Sequence, residues 1–248
     1  MPPRSAMGRT RTWMIGASVA GPRHQREGSR NQDAWHAVRR RHGTAVVVAD
    51  GVGSARFAAE GSRLACKAAV SVFSALNSSV SPEEIALSVS KEWRSRLGGG
   101  KPADFATTFL FAFRFSTGRL LVGGVGDGLV AVSGGSTDVP YRTVDRPGGE
   151  FGETYSLSSS LGVHNWRITE FDDAGGGHRV FLSTDGVSND LLEHRILALT
   201  DWFRTRFEGS SCRVWRTGVR DLLLNWPTPG STDDKTIAMM WRSHRGDR

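Results

Sequence analysis

Cysteine is scarce in this chain: only Cys66 and Cys212 occur in 248 residues. Two thiols build neither a disulfide framework nor a zinc cage, and two separate reduced thiols are the expected state. No apolar run approaches the roughly 20 residues a membrane-spanning helix needs. The opening MPPRSAMGRTRTW is basic but lacks the apolar stretch of a secretory signal, so a cytoplasmic protein without a membrane anchor is expected. A long structureless linker is missing too. One domain is expected over residues 13–242, with a basic tail at 1–12 and a short tail at 243–248.

Acidic groups are short only at the start. Residues 1–42 carry nine arginines against Glu27 and Asp33, whereas the remaining 206 residues hold 23 basic and 23 acidic groups and balance. A basic arm of this kind suits nucleic-acid or other anionic partners through phosphate contacts. No zinc-finger, ribonucleoprotein-type or repeat pattern accompanies it, so nucleic acid is not the expected partner. A solvated tail with a few surface arginines accounts for the excess.

Strand-like runs are present at Trp13–Ser18, Thr44–Ala49, Thr107–Phe115, Arg119–Gly123, Leu129–Ser133, Trp166–Phe171, Arg179–Ser183 and Thr236–Trp241. Between the second and third lie two helical patterns. Ala58–Leu76 places Gly61, Leu64, Ala65, Ala68, Val72 and Leu76 on one face. Ser81-Pro82-Glu83-Glu84 opens the next with an N-cap serine, a first-turn proline and a capping-box glutamate. Its apolar side is Ile85, Val89, Trp93 and Leu97, and Gly98-Gly99-Gly100 ends it. Two further helices are marked by Leu192, Ile196, Leu199 and Phe203, and by Val214, Val219, Leu222 and Leu223. Strands and helices thus come in groups, which favours α+β over a strictly alternating α/β fold. Antiparallel sheets with helices packed outside satisfy the pattern. Ser133–Asn165, polar and Gly-rich, reads as a surface insertion.

The chemically informative pattern is an aspartate at the end of strand after strand. Asp50-Gly51, Asp127-Gly128 and Asp185-Gly186 each close an apolar run, and Asp233-Asp234 precedes the last strand. An Asp-Gly pair alone signals a turn. Here Asp50-Gly51 and Asp185-Gly186 lead into helical stretches, where a hairpin would return as a strand. Two carboxylates at about 4 Å repel by roughly 4 kcal/mol at an effective dielectric near 20. Converging strand ends would therefore call for a cation, and an all-oxygen donor set suits Mg²⁺ or Mn²⁺.

In order and spacing these residues resemble the metal-dependent serine/threonine protein phosphatases of the protein phosphatase 2C (PPM) type, from about Met14 to Trp241. Asn31-Gln32-Asp33 is similar to the early N-E-D motif, Asp50-Gly51-Val52-Gly53-Ser54 to D-G-x-G-G, and Ala106-Thr107-Thr108 to G-T-T. Gly126-Asp127-Gly128 is similar to G-D-S, Ser183-Thr184-Asp185-Gly186 to the late D-G motif, and Asp233-Asp234-Lys235-Thr236 to the terminal D-N-x-T/S. The resemblance implies a central antiparallel β-sandwich flanked by paired α-helices. It further implies that Asp50 bridges two Mn²⁺ or Mg²⁺ ions with help from the Gly51 carbonyl, and that Asp185 and Asp233 complete the first ion's shell. Asp127 would hold a weaker third ion with Asp185. It implies hydrolysis of phosphoserine and phosphothreonine on proteins, by a monomer acting opposite a cognate Ser/Thr kinase.

Three departures stand out. Gln32 replaces the usual glutamate and brings no charge, so the second ion would bind more weakly or Asp33 would compensate. Gly28 stands where the family has a phosphate-binding arginine, leaving Arg26 and Arg30 as substitutes. Val52 stands where some relatives carry an acid histidine; His24 is nearby in sequence, its expected place is the surface, and the acid stays unassigned. Gln32 and Gly28 also suit an alternative, a phosphoprotein-binding module with little or no turnover.

Overall fold

A computed structural model describes residues 11–134, 155–159, 163–173, 177–227 and 231–243. Nine strands occur among them: β1 Arg11–Val19, β2 Asp33–Arg40, β3 Gly43–Asp50, β4 Phe109–Phe115, β5 Arg119–Val125, β6 Leu129–Ser133, β7 Arg167–Asp172, β8 Arg179–Ser183 and β9 Lys235–Ser243. The helices are α1 Pro22–Glu27, α2 Ala58–Ala75, α3 Pro82–Ser95, α4 Asp185–Ser188, α5 Ile196–Phe207 and α6 Cys212–Leu224. One sheet has the order β1-β9-β8-β6 and the other β2-β3-β4-β5-β7, and every pairing is antiparallel.

Side-chain alternation explains the layering. Along β3, Ala45, Val47 and Ala49 join a core with α2 and α3, whereas Val46 and Val48 face the other sheet. Along β4, Phe109, Phe111, Phe113 and Phe115 point to the helices while Leu110 and Ala112 point inward. A strand buried on both faces reads as a continuous apolar run, which is why these were plain in the sequence. The second sheet packs Ile15, Phe181, Ile237, Met239 and Trp241 under Phe203, Phe207, Trp215 and Val219 of α5 and α6. The result is helices, sheet, sheet, helices: the expected α+β sandwich.

Ser81 caps α3 with the full capping box, its side chain accepting from the Glu84 N–H while Glu84 reaches back. The structure revises other readings. β2 was not anticipated; it is an edge strand whose half-exposed sequence DAWHAVRR lacks a clean apolar alternation. Leu192 lies outside α5 and is exposed, as is Val214 on α6, where Trp215 supplies the buried contact instead. Of the Ser133–Asn165 segment, 135–154 and 160–162 lie outside the described residues. Its described part is not all surface: Leu157 is fully buried in the α2/α3 core, and its N–H donates to the Thr107 carbonyl.

At one end of the sandwich Arg114 of β4 is buried between the sheets. It pairs with Asp173, whose Oδ1 lies 2.8 Å from His178 Nδ1, and its guanidinium donates to the His178 carbonyl at 2.6 Å. The chemistry that the sequence singles out is at the opposite end.

Candidate metal centre

Antiparallel pairing carries the aspartates to a common edge. Asp33 opens β2 directly opposite Asp50, which closes β3. Asp185 follows β8, and Asp233 precedes β9, the neighbour of β8. Asp127 sits in the crossing from β5 to β6, which belong to different sheets, so its Asp-Gly pair is not a hairpin turn.

The carboxyl of Asp50 lies against those of both Asp33 and Asp185. Burial first, then the charges of Asp33 and Asp185, push Asp50 well above the ordinary carboxylate range. Burial also raises Asp33 to about 7, against hydrogen bonds from Thr236 and Thr184 that favour its ionised form. Asp185 is raised by burial and by the charges of Asp127 and Asp233. Asp50 thus feels Asp33 and Asp185, Asp33 feels Asp234, and Asp185 feels Asp127 and Asp233, a crowding of like charge that a cation would relieve.

The main chain around them is tightly held. Thr108 N–H and Thr107 Oγ1 both donate to the Asp50 carbonyl at 2.8 Å, and the Asp50 N–H donates to Thr108 Oγ1 at 3.1 Å. Gly51 N–H donates to the Gln32 carbonyl at 3.1 Å, joining the first two motifs. Thr184 Oγ1 donates to Asp33 Oδ2 at 2.8 Å and accepts from the Thr236 N–H at 3.1 Å, joining the last two. A glycine after each aspartate permits close backbone approach or unusual φ. Close approach holds at Gly51 and Gly186, where an added Cβ would lie 2.4 Å from the Ala58 carbonyl oxygen and 1.9 Å from that of Asp234. Of the three, only Gly128 has positive φ, at 138°.

His24 is a correction. Expected at the surface, it is buried on α1, with Nδ1 2.8 Å from Asp234 Oδ1. Asp234 also accepts from the N–H groups of Gly21 at 2.7 Å and Gln32 at 2.6 Å. The charge at Asp234, where the motif has asparagine, thus has a buried partner. His24, Asp233 and Asp234 bring ligand-type atoms within 4.8 Å of one another. Because the Asp234 oxygens are engaged by Gly21, Gln32 and His24, this trio acts as an internal clamp.

Of the candidate arginines, Arg26 lies exposed on α1 and forms no ion pair among the described residues, and Arg30 lines a cleft with Gln32. Arg23, which sequence reasoning passed over, reaches the cluster: its Nη2 is 3.5 Å from Asp233 Oδ1. Only the three-dimensional turn of α1 reveals this. Cys66 is buried and Cys212 exposed, both free, as the sequence suggested.

The donor set fits a hard divalent cation. All side-chain donors are oxygens, their charges are mutually repulsive, and Asp33 Oδ1 and Asp185 Oδ1 are buried with no hydrogen-bond partner among the described residues.

A family model for protein phosphatase 2C matches residues 20–223. No curated protein sequence matches significantly. Among solved structures, the S. agalactiae serine/threonine phosphatase superposes with a TM-score of 0.66 at 15% identity, covering 93% of this chain and 99% of that one. The catalytic domain of the serine threonine protein phosphatase PstP, in complex with two manganese ions, gives 0.63 at 17%, covering 94% and 99%. RsbX in complex with magnesium gives 0.59 at 15%, covering 96% and 100%. At such identities these structures speak for the fold; the family model, running over most of the sequence, makes this chain a member of the protein phosphatase 2C family.

Proposed function

We propose that the chain hydrolyses phosphoserine and phosphothreonine on proteins in a Mn²⁺- or Mg²⁺-dependent reaction. The observation that carries this reading is the convergence of Asp33, Asp50 and Asp185, with Asp127 and Asp233 beside them. Asp50, the Gly51 carbonyl, Asp185 and Asp233 would hold the first ion. Asp50, Asp33 and Gln32 would serve the second, and Asp127 with Asp185 a third. Bound there, a divalent cation supplies Lewis-acid stabilisation of phosphoryl oxygens and acidifies a ligand water.

The chain's own groups have distinct tasks. Thr107 and Thr108 fix the Asp50 backbone, and Thr184, itself held by the Thr236 N–H, orients Asp33. Arg23, beside Asp233 and 44% exposed in its side chain, puts positive charge at the mouth of the cluster, where it can hold a phosphoryl group. Arg30 does the same from the cleft side. A cysteine nucleophile is not supported: burial pushes the Cys66 thiol far up, and Cys212 lies on α6 in the other helical layer. A Ser/Thr kinase would supply the phosphoprotein.

The test is hydrolysis of p-nitrophenyl phosphate and a phosphothreonine peptide with Mn²⁺ or Mg²⁺. Activity that disappears in EDTA and returns on adding Mn²⁺ is expected. Mn²⁺ binding without turnover of either substrate would instead establish the non-hydrolytic module that Gln32 suggests.

A further inference from the structure

A cleft of about 470 Å³ opens beside Gln32. Arg30, Arg56, Arg63 and Lys67 line it against a single carboxylate, Glu60. All four cations are exposed, and among the described residues none of them forms an ion pair. Arg63 and Lys67 stand four apart on α2, where like charges destabilise a helix by a few tenths of a kcal/mol. This chain maintains that unfavourable arrangement within a sequence whose residues 43–248 are otherwise charge-balanced.

The cleft is joined to the candidate centre through Gln32. Gln32 lines the cleft, while its carbonyl accepts from Gly51 and its N–H donates to Asp234. α2 begins against Gly51, close enough that a Cβ there would strike Ala58. From Ala58 to Lys67 a helix rises about 14 Å at 1.5 Å per residue. An extended peptide covers that distance in about four residues.

We propose that this cleft is a subsite for an anionic side chain, foremost a second phosphoryl group, within about four residues of the phosphoresidue being hydrolysed. Arg56 and Arg63 offer planar forks suited to phosphate oxygens, and Lys67 adds a point charge at the far end. The chain would thus select multiply phosphorylated protein segments. This rests on the phosphatase reading given above.

The experiment compares three otherwise identical phosphothreonine peptides carrying phosphoserine, glutamate or alanine three residues away, with Mn²⁺ present. A KM about tenfold lower for the doubly phosphorylated peptide than for the alanine peptide is expected, with glutamate between and kcat little changed. The pair Arg63→Ala and Lys67→Ala should erase the difference. Their hydrolysis of p-nitrophenyl phosphate, too small to reach α2, should stay intact and report correct folding. Equal KM values for the three peptides, or a preference that survives both substitutions, would overturn the subsite. So would inhibition by a single-stranded oligonucleotide that exceeds that of the doubly phosphorylated peptide and vanishes in the same variants. If the wild type hydrolyses nothing, the phosphatase reading fails separately. Fluorescence anisotropy of the three peptides, labelled, then tests the cleft by binding alone, and equal affinities would sink it.

Discussion

Asp33 and Asp50 are register partners on adjacent antiparallel strands, and the charge of Asp33 bears directly on the Asp50 carboxyl. Cross-strand partners place their side chains on the same face, so strand pairing alone forces two like charges together. The repulsion is built into the sheet, and its relief is what a cation offers. The consequences can be measured.

Asp185→Asn should lower Mn²⁺-dependent hydrolysis by about 100-fold or more, given the several kcal/mol that such electrostatic groups contribute. In EDTA the same variant should be more stable than the wild type, by roughly 1–3 kcal/mol, because one charge leaves the cluster. Activity assays and urea denaturation in EDTA check the two arms. A variant that is fully active, or weaker in EDTA, contradicts the assigned centre.

The metal-free protein should lose stability as pH rises. Burial raises Asp33 from 3.8 to about 7. A carboxyl with a raised folded pKa binds more protons in the native state, so its contribution is complete below the unfolded pKa near 4. That contribution fades as pH climbs through about 7, with a limiting slope of about 1.4 kcal/mol per pH unit for one proton. Thermal melts in EDTA between pH 5 and 8 should fall more steeply for the wild type than for Asp33→Asn. Saturating Mn²⁺ should reverse the trend, since metal binding competes with protons.

Gln32→Glu should tighten the second Mn²⁺ by about tenfold or more, the equivalent of about 1.4 kcal/mol from one added ligand charge. Titration calorimetry resolves this. Equal affinities would show that Asp33 already supplies what the missing glutamate would.

Removing the Asp234 carboxylate should be costly even though it is not an assigned ligand. Asp234→Ala strips acceptors from two backbone N–H groups and from buried His24. A loss of about 3–5 kcal/mol is expected. Asp234→Asn, which keeps an acceptor, should cost less. Urea midpoints distinguish them.

At the far end, Asp173→Ala leaves Arg114 buried without its counter-charge and should cost about 3–5 kcal/mol. Arg114 lies six residues along β4 from Thr108, about 20 Å from the Asp50 edge. Mn²⁺ affinity should therefore be unchanged in the folded fraction. A matching loss of Mn²⁺ affinity would mean that the two ends are coupled.

Where residues are buried on both faces, the fold was readable in advance. Apolar runs such as Ala45–Ala49 and Phe109–Phe113 leave little choice but a central strand, and the Ser81 capping box marks its helix unambiguously. Legibility fails at the edges. β2 is half exposed and polar, so its side chains follow its partner strand rather than a hydrophobic rule. α1, with Pro22 in its first turn, is only six residues long, too short for a periodicity to show.

The amino-acid order by itself determined the layers, the motif series and the chemistry of the donors, because periodicity, capping and oxygen ligands are local properties. Which groups meet was decided only by the tertiary structure. It buried His24 against Asp234, swung Arg23 rather than Arg26 toward Asp233, and set Arg30 beside Arg63 and Lys67. These contacts join residues far apart in the chain, or depend on the direction in which a short helix points, and no local pattern encodes either.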